Sequence, residues 1–509
     1  MSKDAEVDMK DVELNEVDQE KQPMTAGETA NGDATSPTIT EKNGSVMLKI
    51  PEENETKFTG LSKEELLKVA GTPGWVRARW ALLILFWIGW LGMLAAAIVI
   101  IVQAPPCKPI PALNWWNLGS MYQVGDVNAF TESPGLAGLE KKIDRLYQMK
   151  VKSLVVGPIH VAPVDQAEDL NFQEIASEFG SMSQFKTLVE AMKKKSMSVV
   201  LDLTPNYHGA DPWYSNMTIP DVGEKLKVAL VYWMEKGVDG FQFSGVDHLS
   251  SQFPMLWSEI KVIVQNSSTD TKKALIGVTE HASAPVVSDL LNSTGVNLLL
   301  SGVLRSSPSA ASGSGQAIQQ LYSTQDQRQL AWNFGDRVQG HLASLASSTM
   351  VKFNQLLLLT LPGIPVFNYG DEIGLEDELD TKFPKMLWAA PDDANKTSQD
   401  MKSLFEFFKK ASEYRWKERS LLYGDYRPVF GSPKALAYVR SWDQSTRFVA
   451  AFNWDSDPVK MALKGEDLQD TAKVLLSTDT RLSADTEVKL AELELGPGQA
   501  VLMQYSYRG

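Results

Sequence analysis

The chain has 509 residues, with 49 Lys and Arg against 63 Asp and Glu, and a formal charge of −14. That balance argues against binding to nucleic acid. More than half of the excess negative charge lies in residues 1–60, which hold 14 acidic and 6 basic side chains, few apolar residues and no periodicity. This composition predicts a disordered, solvated tail.

A short ordered piece follows within residues 61–80. Ser62 with Glu65 three positions later forms a capping box, Leu61 and Leu66 are spaced as a hydrophobic staple, and Gly71-Thr72-Pro73 stops the helix. From Ala81 to Val102 the sequence ALLILFWIGWLGMLAAAIVIIV carries no charge. As a helix it covers about 33 Å, enough for a hydrocarbon core of about 30 Å, so 81–102 is predicted to span a membrane. Its distance from the first residue excludes a cleaved signal peptide. Lys63, Lys68, Arg77 and Arg79 precede the span and only Lys108 follows closely. This predicts a cytoplasmic N-terminus and an extracellular remainder. Trp75, Trp80, Trp87 and Trp90 suit an interfacial belt, and Gly89, Gly92 and Ala96 offer small residues for a second helix.

Cys107, the single cysteine, sits five residues beyond the span in the strip 103–113, which Pro105, Pro106, Pro109 and Pro111 stiffen. Five extended residues reach about 18 Å, so the thiol stays near the outer membrane surface. In an oxidising space an unpaired cysteine predicts an intermolecular disulfide, either with another membrane protein or with a second copy; a free or palmitoylated thiol is the alternative.

Downstream, strands and helices alternate. Leu136, Leu139, Ile143, Leu146 and Tyr147 share one helical face before VKSLVVGPIH, a buried strand. Phe185, Leu188, Val189 and Met192 mark a second helix before SVVLDLTPN. A third opens with Asp221 and Glu224, presents Leu226, Leu230 and Trp233, and ends at Gly237 before DGFQFSGV. Such repeats predict a parallel sheet, open or closed into a barrel. In DGFQFSGV, Phe241 and Phe243 point one way and Gln242 and Ser244 the other, with the phenyl rings expected against helices. Asp247-His248 carries no metal or dyad chemistry, since neighbours on a strand face opposite sides.

The blocks NWWNLGSMYQV, GLAGLEKKIDRLYQMKVKSLVVGPIH, EFGSMSQFKTLVEAMKKKSMSVVLDLTPN, KGVDGFQFSGVDHL and TLPGIPVFNYGDEIGLED resemble, in order, landmarks of the α-amylase and α-glucosidase family. The resemblance implies an α/β ectodomain: a (β/α)8 barrel over 114–418, with its cleft at the C-terminal ends of the strands. ALAYVRS, RFVAAFNW and LELGPGQAVLMQY are similar to that family's C-terminal antiparallel β-sandwich, over 419–509.

Several positions depart from the family pattern. Gln242 and Ser244 stand where the resemblance implies Arg and the nucleophilic Asp. A retaining glycosidase needs two carboxyls about 5 to 5.5 Å apart, and a hydroxyl cannot replace one. Tyr207 follows Asp202-Leu-Thr-Pro-Asn where a His is implied, and Gly335 precedes Asp336 where a substrate-binding His is implied. Glu280 matches the general acid and Asp336 the transition-state stabiliser. Only about 15 residues separate Asn206 from Asp221, where the family's enzymes insert a small domain with calcium contacts. Asp202, Glu280 and Asp336 are therefore read as structural carboxylates, with no catalytic residue, cofactor or metal expected.

The whole chain resembles the heavy chains of the heteromeric amino-acid transporters, in the form without the inserted domain. That resemblance implies that Cys107 links to a multi-span light chain of the L-type group, which is stabilised and brought to the plasma membrane. One span forms no alternating-access path of its own. It also implies association with integrin β subunits, an adhesion or signalling role that stands as an alternative, beside residual α-glucosidase activity. Membrane lipid is the other expected partner. Sequons at Asn216, Asn266, Asn292 and Asn395 lie on the extracellular side of this topology; Asn43 and Asn54 do not.

Overall fold

The computed structural model describes residues 62–103, 107–209, 211–214, 219–267, 271–305, 311–388 and 396–508. The tail and Leu61 of the expected staple lie outside them. The chain divides into two units, residues 1–104 and 105–509. In the first, Ser62 caps helix α1 (Lys63–Ala70): its hydroxyl accepts from the Glu65 N–H while the Glu65 carboxylate accepts from the Ser62 N–H. Helix α2 runs from Pro73 to Gln103 over 31 residues. Gly71 and Thr72 interrupt the helix, as expected. Proline is accepted at the first helical position, so α2 starts eight residues before the charge-free run. Among the described residues it is the helix long and apolar enough to cross a bilayer, and its side chains lie exposed.

The second unit is built on a closed barrel of eight parallel strands. In chain order they are β1 (Ser120–Val124), β2 (Val151–Val156), β3 (Ser198–Asp202), β4 (Gly240–Ser244), β5 (Ala274–Val278), β6 (Leu298–Leu300), β7 (Leu330–Trp332) and β8 (Ile364–Asn368). Each strand pairs with its sequence neighbours, and β8 closes on β1. Alternation sorts the side chains. Met121, Val155, Val200, Ile276, Leu298, Ala331 and Val366 fill the interior, while Tyr122, Leu154, Leu201, Phe241, Phe243, Leu299 and Phe367 pack outward into the helical layer. The parity expected for β4 holds: both of its phenylalanines are buried in that layer.

Two expectations change. The helix predicted over 136–147 is two short helices, Gly135–Glu140 and Ile143–Gln148. The break at Lys141-Lys142 re-aims the second, so Tyr147 leaves the buried face and lies 42 % exposed beside the Lys152 and Lys195 ammonium groups. Asp247-His248 lies on a helix, Val246–Gln252, rather than a strand. Asp247 there meets the imidazole of His281 at 3.4 Å, not that of its neighbour.

After a long helix, Lys396–Lys417, and one turn, Arg419–Leu422, the chain becomes antiparallel sheet. The strands are β9 (Asp425–Ser432), β10 (Ala435–Ser441), β11 (Arg447–Asn453), β12 (Val459–Met461), β13 (Thr471–Ser477), β14 (Glu487–Lys489), β15 (Leu493–Leu495) and β16 (Gln499–Tyr505). Six form one sheet, ordered β9-β10-β11-β16-β13-β14, and β12 pairs with β15. Val439, Val449, Met461, Leu493 and Met503 fill the space between the sheets. The opposite face packs on the barrel helix Val351–Thr360, with the Phe353 and Phe452 rings 5.3 Å apart. Two buried arginines tie this junction. Arg440 donates to the carbonyls of Thr360, Leu421 and Gly424, and Arg415 to those of Leu359, Leu361 and Gly363. These carbonyls at and beyond a helix C-terminus lack intrahelical donors, which suits a cation.

Candidate functional site

The apolar filling of the barrel stops near the C-terminal ends of the strands, where inward positions turn polar. Gln123 is next to last in β1, Asp202 ends β3, and Gln242 and Ser244 are the middle and last residues of β4. Gln123 Nε2 donates to Gln242 Oε1 at 3.0 Å, and Gln242 Nε2 reaches Asp202 Oδ2 at 3.4 Å. Asp202 Oδ1 accepts from the Thr204 N–H at 2.9 Å and its hydroxyl at 2.6 Å. The carboxylate is thus committed within the protein.

Above this floor opens a cleft of about 850 Å³, lined in part by Tyr207, Ser244, Asp247, Glu280, His281, Asp336, Arg337 and Phe383. Ser244 is half-buried, and its carbonyl accepts the Trp213 indole N–H at 2.7 Å. Glu280 Oε1 accepts from Gln339 at 2.7 Å. Asp336 Oδ1 accepts the Val338 and Gln339 N–H groups at 2.9 Å each, and Oδ2 pairs with Arg305 at 2.7 Å. At Gly335, a Cβ would sit 2.1 Å from the Gly340 carbonyl oxygen, so the loop admits no imidazole there. The Tyr207 hydroxyl donates to the His160 carbonyl at 2.9 Å. Burial raises the Tyr207 phenol above its ordinary range.

The structure therefore gathers Tyr207, Ser244, Glu280 and Asp336 about one cleft, buries Gly335 in the loop beside Asp336, and leaves Asp202 and Gln242 outside the lining. Sequence reading missed Arg337, whose Nε lies 3.5 Å from Asp202 Oδ2 and whose Nη1 donates to the Tyr207 carbonyl at 3.1 Å. It also missed Arg305. The adjacent Asp336-Arg337 pair was visible, but two residues in a loop give no hint of reaching opposite sides of a barrel.

Cys107 is exposed. The next residue, Lys108, donates its N–H to Asp443 at 3.2 Å, places its ammonium 3.8 Å from Asp425 and lies over the Trp442 ring at 4.4 Å. Asn266 caps the helix Pro254–Gln265 and Asn292 lies in the helix Ala284–Thr294, both exposed. Asn216 and Asn395 lie outside the described residues. On α2, Gly89 and Gly92 have open space where a Cβ would stand, and Ala96 is exposed.

Comparison with known proteins places this geometry. A family model described as the solute carrier family 3 member 2 N-terminus matches residues 47–122, and one described as the alpha amylase catalytic domain matches residues 128–218. Solved structures share the fold at low identity. Trehalulose synthase MutB from Pseudomonas mesoacidophila aligns with a TM-score of 0.63 at 16% identity, over 77% of this chain and 100% of its own. An Anoxybacillus alpha-amylase aligns with a TM-score of 0.61 at 19% identity, over 78% and 100%. Amino acid transporter heavy chain SLC3A1 of Rattus norvegicus is 23% identical, over 66% of this chain and 65% of its own. Amino acid transporter heavy chain SLC3A2 is 41% identical in Mus musculus and 42% in Oryctolagus cuniculus, over 100% of both chains in each case. By that match along its full length, the chain belongs to the amino acid transporter heavy chain family.

Proposed function

We propose that the protein is a non-catalytic heavy subunit that joins a multi-span amino-acid transporter light chain through a disulfide at Cys107, stabilises it and brings it to the plasma membrane. Its N-terminus faces the cytoplasm and its barrel the outside, as the basic residues before the apolar helix favour. The observation that carries the reading is the exposed Cys107, held against the ectodomain by its neighbour Lys108 in a chain of the heavy-chain family. A thiol so tethered searches a small volume beside the bilayer, which favours one partner loop. Small residues on α2 offer a second contact, and neither contact needs a working active site.

The absence of catalysis is supported by the fate of the three carboxylates that the amylase resemblance singles out. Ser244 ends β4, at the position where the resemblance to α-amylases implies the nucleophile. Asp202 and Asp336 are buried and bonded within the protein, and Glu280 is held by Gln339. No two of them are left as the free pair that retaining hydrolysis requires.

Electrophoresis of native membranes with and without reductant tests the proposal. A smaller hydrophobic protein should be released by reductant, and mass analysis of the cysteine-linked peptide identifies it. Cys107→Ser should remove the covalent adduct and weaken the complex, while surface delivery of the light chain falls only in part. Native membranes with no reductant-sensitive adduct would overturn the assignment.

A further inference from the structure

The eight strands close in sequence order, so β3 and β7 stand on opposite sides of the barrel, four strands apart in either direction. Arg337 follows β7, separated from it by residues 333–336, yet its guanidinium lies 3.5 Å from Asp202 at the end of β3. The loop after β7 carries the Arg337 Cβ over to the end of β1, and the side chain reaches from there to the end of β3. Gly125, just beyond β1, makes room for it: a Cβ there would come within 3.1 Å of Arg337 Cβ and Cγ and 3.2 Å of the Phe383 ring.

Arg337 lines the open cleft, whereas Asp202, Gln242 and Gln123 do not and are only 2 %, 5 % and 4 % exposed. The floor beneath it bears one carboxylate, two amides and the Thr204 hydroxyl. This donor and acceptor set matches the hydroxyls of a neutral polyol and not a charged headgroup. Arg337 is only partly held there. Its Nη1 has the Tyr207 carbonyl, but its Nε, though close to Asp202, is buried without an aligned acceptor.

We propose that Arg337 is a built-in occupant of the cleft, an arginine bolt that covers the hydroxyl-binding floor and excludes neutral saccharides from it. Ligand exclusion thus rests on this side chain and not only on the missing nucleophile. The proposal stands on barrel geometry alone, so it and the disulfide reading fail separately.

Maltose is the probe, with full-length protein in lipid nanodiscs so that no maltoside detergent competes. By titration calorimetry, Arg337→Gly should bind maltose at least tenfold more tightly than wild type, and adding Asp202→Asn should return binding to the wild-type level. Arg337→Gln, which keeps a donor on a shorter stem, should fall between and serves if the glycine variant melts early. Equal binding by wild type and Arg337→Gly overturns the proposal. So does no binding by either folded variant, or a gain that survives Asp202→Asn, since the sugar would then lie elsewhere.

Discussion

His160 offers the sharpest test of the barrel mouth. It is fully buried, with its ring 4.8 Å from that of Phe172 and 5.2 Å from that of Tyr207. Burial pushes the imidazole down to about 3, against the pull of the Pro205 carbonyl and with the Arg337 charge adding to the fall. The unfolded chain takes up that proton near pH 6.5, the folded chain only near 3, so the unfolded state binds more protons between those values. Stability from this residue is therefore complete above pH 6.5 and lost as the pH falls. From an ordinary imidazole value, the loss between pH 7 and pH 5 amounts to about 2 kcal/mol. Asp371, whose carboxyl burial pushes up to about 8, titrates with the opposite sign across the same window. The informative quantity is thus the difference between wild type and His160→Phe. Urea unfolding followed by tryptophan fluorescence at pH 7 and pH 5 should show the wild type losing about 2 kcal/mol more than the variant. If both lose the same amount to within about 0.5 kcal/mol, the imidazole is not held neutral and the argument from burial fails.

Two further outcomes follow from the contacts. Arg440→Met should lower stability by about 3 kcal/mol, read as a reduced urea midpoint, because it strands buried carbonyls that now accept bonds of 2.7 to 3.0 Å; a loss under about 0.5 kcal/mol refutes the junction's role. Ser244→Asp alone should leave hydrolysis of an activated α-glucoside at background, since Arg337 still lies against Asp202 and Glu280 is bonded to Gln339; turnover above background refutes this.

Much of this architecture is legible in the sequence because it depends on period. The inward and outward sets of β4, the helix carrying Phe185 to Met192 and the capping box at Ser62 follow from spacing that local physics enforces. The break at Lys141-Lys142 was not legible, since both halves keep apolar residues at helical spacing and the interruption comes from packing. The site divides likewise. Ser244 and Gln242 could be placed by parity on a strand, but Asp247 could not, because a strand was assumed where a helix runs. Arg337 could not be found at all, since its partner lies across the barrel. Gly335 read as a lost imidazole, and only the close approach of Gly340 gives the physical reason.

The carboxylates of the mouth permit a test whose sign separates the two readings of the barrel. Active sites hold groups that the fold would prefer to be without, so removing a working catalytic acid is commonly neutral or stabilising. Asp336 is the opposite case. Its Oδ1 receives two backbone N–H groups, and its Oδ2 meets an Arg305 side chain only 10% exposed. Asp336→Ala removes these bonds together with the one from Asn333 Nδ2 at 3.5 Å, and leaves a buried guanidinium whose other partner among the described residues is the Thr279 carbonyl at 3.4 Å. Breaking a buried pair in this way costs about 3 to 5 kcal/mol. Asp336→Asn keeps the oxygen for the backbone donors but turns an amide NH2 toward Arg305, giving up the ion pair while saving the two backbone bonds, so it should cost less than alanine. The order in urea midpoint is then wild type, asparagine, alanine. An unchanged or raised midpoint for alanine would mean that the carboxylate is held at the fold's expense, as a catalytic group is, and would return the cleft to the enzymes it resembles.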